Sequence, residues 1–172
     1  ALLVIDMQKY FLPIADSILD NIHSVIQTCR ENGIKIVFTR HGHQDISKDG
    51  GMLFEWWGES IVYGTKDWEI FDQLRPQEQD LIIDKNRYSA FHGTNLDQSL
   101  KSLGLTDLII TGVLTNCCCE TTARDAFVRD YRVFFISDAT ATINRDLHLS
   151  SLKNLAFGFA YVLSSNELKN CF

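Results

Sequence analysis

Five runs of β-branched and apolar residues recur along the chain: "ALLVID" (1–6), "KIVFTR" (35–40), "DLIIDK" (80–85), "DLIITGV" (107–113) and "RVFFISDA" (132–139). They do not alternate apolar with polar. A strand that is apolar on both faces must be covered on both, which is the situation of a parallel sheet between two helical layers. The segments between the runs carry helical period. Ile18, Ile22, Val25, Ile26 and Cys29 fall at i, i+4, i+7, i+8 and i+11, with Gly33 placed as a C-cap. Leu96, Leu100 and Leu103 mark a short helix between Asn95 and Gly104; further helices are expected from near Asn116 to about Asp130 and from Asp146 to about Phe159, before a last short strand, "YVLSS". The expectation is an α/β protein with three α/β/α layers and a mostly parallel sheet of about six strands. His41 to Gln79 shows little clear period, and loops of that length usually carry function.

The 172 residues contain no internal repeat and no Pro/Gly/Ser linker, and their only prolines are Pro13 and Pro76, so residues 1–172 read as one domain. The formal charge of −6 is spread without a Lys/Arg cluster, which argues against a nucleic-acid partner. No apolar run approaches the roughly twenty residues that span a bilayer, so no membrane role is expected. Five cysteines, three of them adjacent, do not form a disulfide framework and point to a reducing compartment, the cytoplasm.

Ligands of open parallel sheets bind beyond the carboxyl ends of the strands. The residues that end these strands are Asp6, then Arg40-His41-Gly42-His43, Asp84-Lys85, the Cys117-Cys118-Cys119 run and Asp138. An acid, an amine and a thiol thus converge from separate strands. A thiol at a helix N-terminus is expected to have a lowered pKa. Neighbouring helical side chains diverge by about 100°, so only one of the three cysteines can face the pocket squarely, and spacing does not select which.

"LLVIDMQ", "DKNRYSAF" and "TGVLTNCCCETTARDAF" resemble, in order and across the whole chain, the motifs of the isochorismatase-like cysteine hydrolases. The resemblance implies the Rossmann-like form of the three-layer fold. It implies a catalytic set of Asp6, Lys85 and Cys118, with Cys118 chosen because the family pattern reads Gly-Val-x-Thr-Asn-x-Cys. It also implies a cis peptide between Val113 and Leu114 and an oxyanion hole built from the Leu114 and Cys118 N–H groups. Gln8, Arg40, His41, Arg87, Phe91 and Trp57 are the residues expected to meet substrate. His41 and His43 share one side of an extended segment, a spacing that suits Zn or Fe(II) given a third ligand. Metal-containing nicotinamidases carry an Asp where His41 stands here, and no third His lies nearby, so no cofactor is expected.

The expected activity is cleavage of the C–N bond of a small carboxamide through a Cys acyl-enzyme. One alternative is an isochorismatase that cleaves a vinyl ether and releases pyruvate, a reaction that needs a proton donor rather than a thiol. Another is a non-enzymatic thiol, redox or scaffold role, which leaves Asp6 and Lys85 without a purpose. A homo-oligomer, dimer or tetramer, is expected from the aromatic area around Trp56 and Trp57.

Overall fold

A computed structural model describes residues 1–172. Six strands form one parallel sheet: β1 (Leu2–Ile5), β2 (Ile36–His41), β3 (Leu81–Lys85), β4 (Asp107–Val113), β5 (Arg132–Ala141) and β6 (Tyr161–Leu163). Their spatial order is β3-β2-β1-β4-β5-β6, so the winding reverses between β1 and β4. The helices are α1 (Leu12–Ala15), α2 (Leu19–Glu31), α3 (Ile46–Asp49), α4 (Gly51–Trp57), α5 (Leu96–Ser102), α6 (Glu120–Phe127), α7 (Arg145–Gly158) and α8 (Ser165–Lys169).

Side-chain parity in β1 explains why both layers are needed. Leu3 and Ile5 pack into one core with residues of α5, α6 and α7, while Leu2 and Val4 pack into the other with α1, α2 and α8. Each core gathers nineteen buried residues, so neither face of the central strand meets water. On α2 the buried side chains are Leu19, Ile22, Val25, Ile26 and Cys29, the stripe the period marks out. Gly33, at φ +70°, ends that helix in the left-handed region.

The structure differs from the sequence expectation in three places. The helix expected from Asn116 starts with a π-type turn over Thr115–Cys119 and becomes α-helical only at Glu120. β5 continues two residues past Ala139, so Asp138 lies inside the strand rather than at the ligand edge; its carboxylate accepts hydrogen bonds from the Ser165 N–H and hydroxyl and thereby anchors α8. The stretch from His41 to Gln79 contains α3, α4 and two 3-10 turns, each too short to display a period. No helix is long and apolar enough to cross a membrane.

Gly112 sets the closest approach in the sheet. It pairs with Ile5 across the switch point, at φ +116°, and a Cβ there would stand 2.0 Å from the Ile5 carbonyl oxygen. Both the backbone angle and the contact exclude any side chain. Gly112→Ala is expected to destabilise the fold by about 4 kcal/mol or more, read from urea unfolding. A loss below about 1 kcal/mol would show that β1 and β4 can separate at little cost.

Candidate active site

The switch point brings the ends of β1 and β4 side by side, and Asp6 follows β1 directly. Its backbone lies at φ +49° and is held there by Thr39 of β2: the Asp6 N–H donates to Thr39 Oγ1 at 3.0 Å, and that hydroxyl donates to Asp6 Oδ1 at 2.5 Å. Oδ1 is thereby occupied. Oδ2 is turned toward Lys85.

Lys85 ends β3, two strands away, which is about 9–10 Å at ordinary strand spacing. Only a long side chain crosses β2 from there. Its Nζ lies 2.7 Å from Asp6 Oδ2, and both side chains are fully buried. The same ammonium donates to the Arg87 carbonyl at 3.0 Å and to Cys118 Sγ at 3.4 Å. The contact with Oδ2 is an ion pair without hydrogen-bond alignment, so this oxygen keeps a lone pair for another donor.

The π-type turn distributes the three cysteines. Cys118 points at Lys85 and Asp6 and contributes to a cavity floor; Cys117 is half-buried on the cavity wall beside Tyr88; Cys119 is fully buried in the core with its sulfur toward the Thr111 carbonyl. The Val113–Leu114 peptide is cis. The Leu114 carbonyl caps the turn by accepting from the Cys117 and Cys119 N–H groups, whereas the Leu114 N–H has no acceptor within the chain and belongs to a residue of the cavity wall.

The cavity holds about 340 Å³, small for a ligand site, and its walls are mostly apolar and aromatic, with Tyr10, Phe11, Trp57 and Tyr88 prominent. Trp57 Nε1 donates to the Tyr88 hydroxyl at 2.9 Å, joining α4 to the loop after β3. His41 and His43 also line it. His43 Nδ1 faces Asp49 Oδ1 at 3.1 Å, and His41 Nδ1 is buried without a partner.

The other residues expected to meet substrate lie elsewhere. Gln8 is buried: its amide donates to the His41 and Trp68 carbonyls and accepts from the His41 N–H, so it ties β1 to β2. Arg40 makes a two-bond ion pair with Asp84 and stacks on Trp68. Arg87 donates to the Asp49 and Asn86 carbonyls, outside the cavity. Phe91 is in the core against Tyr131. Each strand-end residue found a tertiary partner that no local pattern reveals. Thr39, which orients Asp6, was not singled out, although a polar residue inside the apolar run "KIVFTR" is the kind of signal that finds one.

Burial opposes the charge on Lys85, but Asp6 and Cys118 outweigh it, so its pKa moves up and it remains an ammonium. Burial pushes the Cys118 thiol well above its ordinary 9.0, with Lys85 pulling only part of the way back. The lowered thiol pKa expected from the sequence is therefore reversed, because desolvation by burial, with the Asp6 charge, outweighs the pull of Lys85. Burial, and next the Lys85 charge, lowers His41 to about 3, so its imidazole is neutral. Asp49 Oδ1 faces His43 through its ring Nδ1, and no group of three or more His, Cys, Asp or Glu side chains is placed to hold a metal ion.

A family model described as the isochorismatase domain matches residues 1–167. The chain belongs to the isochorismatase family. It is 48% identical over 172 residues to nicotinamidase 3 of Arabidopsis thaliana, covering 98% of this chain and 86% of that protein. It is 37% identical over 175 residues to enterobactin synthase component B of Escherichia coli K12, covering 98% of this chain but 61% of that longer protein. A crystal structure of a cysteine hydrolase from Pseudomonas syringae pv. phaseolicola superposes with a TM-score of 0.94 at 30% identity, over 99% of this chain and 90% of that one. In this isochorismatase-family hydrolase, then, a buried ion pair and a thiol meet at the floor of an aromatic cavity.

The direction of the thiol shift is testable. An unfolded cysteine ionises near pH 9.0 while the folded Cys118 stays neutral, so its contribution to stability is complete below that pH and is lost as pH rises beyond it. Alkylation of Cys118 by iodoacetamide in the free protein should keep accelerating above about pH 9, as read by mass spectrometry of quenched samples. A plateau reached near neutral pH would mean that the thiolate is already formed.

Proposed function

We propose that the protein hydrolyses the C–N bond of a small, neutral aromatic carboxamide of the nicotinamide type, with Cys118 as nucleophile. The observation that carries the reading is the placement of the Cys118 sulfur against Lys85 and Asp6 on the floor of a small aromatic cavity. Its 48% identity to a protein named nicotinamidase supports the substrate class.

In this mechanism Asp6 Oδ2 takes the thiol proton as the sulfur attacks the carboxamide carbon, and Lys85 balances the charge on sulfur. The Leu114 and Cys118 N–H groups receive the oxyanion, at roughly 3 kcal/mol for each donor. Asp6 returns the proton to the leaving nitrogen, ammonia departs and a thioester remains. Water then attacks the thioester with Asp6 again accepting its proton, the acid leaves, and the thiol is restored. His41, whose neutral imidazole lines the cavity, is the polar wall residue for substrate, and Trp57 stacks on the substrate ring. No step uses a metal.

The charge of the cavity weighs against the isochorismatase alternative. Isochorismate carries two carboxylates, yet no Lys or Arg lines the cavity, because Arg40 and Arg87 are spent on Asp84 and on backbone carbonyls. For a working enzyme of this kind, nothing in the sequence calls for nucleic acid, and a reducing cytoplasm suits the exposed Cys171 and the unpaired Cys117.

Cys118→Ala and Asp6→Asn should each lower ammonia release from nicotinamide by about a thousandfold or more, while Cys117→Ala and Cys119→Ala retain turnover and EDTA leaves the rate unchanged. Pyruvate release from isochorismate that survives Cys118→Ala but not Asp6→Asn would establish the alternative instead.

We further propose a homo-oligomer in which α4 meets a neighbouring copy, since Trp56 is 75% and Met52 73% exposed. Sedimentation should give at least a dimer at micromolar concentration, and Trp56→Ala should weaken it; a clean monomer would refute this.

A further inference from the structure

We propose that Glu59 sets the charge preference of the cavity, so that the site takes neutral carboxamides, resists carboxylates and discharges its own acid product. The inference rests on the hydrolase reading above. Glu59 is the one carboxylate on the cavity wall, and no lysine or arginine shares that wall. The charges beneath the floor cancel, since Lys85 is paired with Asp6. Among the Asp, Glu, Lys and Arg side chains, Glu59 is therefore the one a ligand meets on the cavity wall itself.

Two sets of contacts hold the side chain there. Gly58, in the left-handed region at φ +71°, ends α4 and turns the chain back across the cavity. The segment that follows is pinned to the end of β2: the His43 N–H donates to the Ile61 carbonyl at 2.8 Å and the Tyr63 N–H to the His43 carbonyl at 3.0 Å. From the opposite wall the Tyr10 hydroxyl donates to Glu59 Oε1 at 2.5 Å. Burial, and then this bond, pushes the Tyr10 hydroxyl up to about 12, so it stays a donor and does not neutralise the carboxylate.

Hydrolysis changes the charge of what the cavity holds. A neutral amide enters, and a carboxylate is left in the cavity that Glu59 lines. The repulsion weakens product binding without touching substrate binding, which separates acid from amide where shape cannot, because the two are nearly isosteric. Glu59 is exposed to solvent, so the effect is moderate and screened by salt.

The test measures nicotinate binding by titration calorimetry, and nicotinamide binding likewise but in a Cys118→Ala background that does not turn the amide over, for the wild-type chain, Glu59→Gln and Tyr10→Phe. Glu59→Gln should bind nicotinate about threefold more tightly with nicotinamide unchanged. Salt raised from about 20 to about 300 mM should strengthen nicotinate binding to the wild type and not to Glu59→Gln. Tyr10→Phe, which removes the bond but keeps the charge, should retain the wild-type preference. An unchanged acid-to-amide ratio in Glu59→Gln would overturn the proposal, and so would Tyr10→Phe behaving as Glu59→Gln does, since Glu59 would then be only a latch. Failure of the wild type to release ammonia from bound nicotinamide would sink the hydrolase reading, and that result is independent of the ratio.

Discussion

A lysine ammonium with no access to water has to be answered by its surroundings, and the architecture at the carboxyl edge of this sheet is arranged around Lys85. Removing such a charge from water costs several kcal/mol even after relaxation, and a single counter-ion rarely recovers it. Lys85 has three partners: the Asp6 carboxylate, the Arg87 carbonyl and the Cys118 sulfur. They come from β1, from the loop after β3 and from the turn after β4. The ammonium thus clamps together segments far apart in sequence, and Thr39 on the intervening β2 fixes the Asp6 carboxylate so that one oxygen faces it. Shortening any of these strands by one residue would flip the side chain at its end to the opposite face of the sheet.

That clamp decides the state of the nucleophile. A helix dipole favours a thiolate by about 0.3–1 kcal/mol, reaching about 2 in buried geometry. Full burial disfavours it by more. Lys85 would tip the balance if its charge were free, but Asp6 already claims most of it. The resting site is therefore a neutral thiol beside an ion pair, and in the proposed mechanism sulfur becomes anionic only as Asp6 takes its proton. Proton transfer and attack are coupled by electrostatics, and a thiol kept neutral between turnovers is protected from adventitious oxidants, which act on thiolates.

The layers and strands were legible in the sequence because an apolar run covered on both faces has one structural solution. The choice of Cys118 among three adjacent cysteines was not legible from period, since a π-type turn obeys none that a helix template tests; only the motif order singled it out. Gln8, Arg40, Arg87 and Phe91, expected from the sequence to meet substrate, lie off this cavity for a common reason. Each stands at or near a strand end where chemistry is expected, and each is satisfied by a partner tens of residues away: Trp68, Asp84, Asp49 and Tyr131 respectively. Such pairings are tertiary facts. Asp138 was misplaced because β5 runs on beyond the last residue that looks like strand.

The division of labour within the chain follows from the same distinction. The sheet fixes Asp6, Lys85 and the turn bearing Cys118 through register, so the chemistry is set by elements whose cores leave little freedom. The walls of the cavity come from elsewhere: Tyr10 and Phe11 from the turn after β1, Trp57 and Glu59 from the segment after β2, Ile143 from the turn after β5. These segments meet through a few side-chain bonds across the opening, Tyr10 to Glu59 and Trp57 to Tyr88, rather than through the sheet. Substitutions in them can reshape or recharge the cavity without disturbing the ion pair below. A family built this way can hold one reactive edge constant while its members are named for different reactions, so the substrate of a given chain has to be argued from its walls.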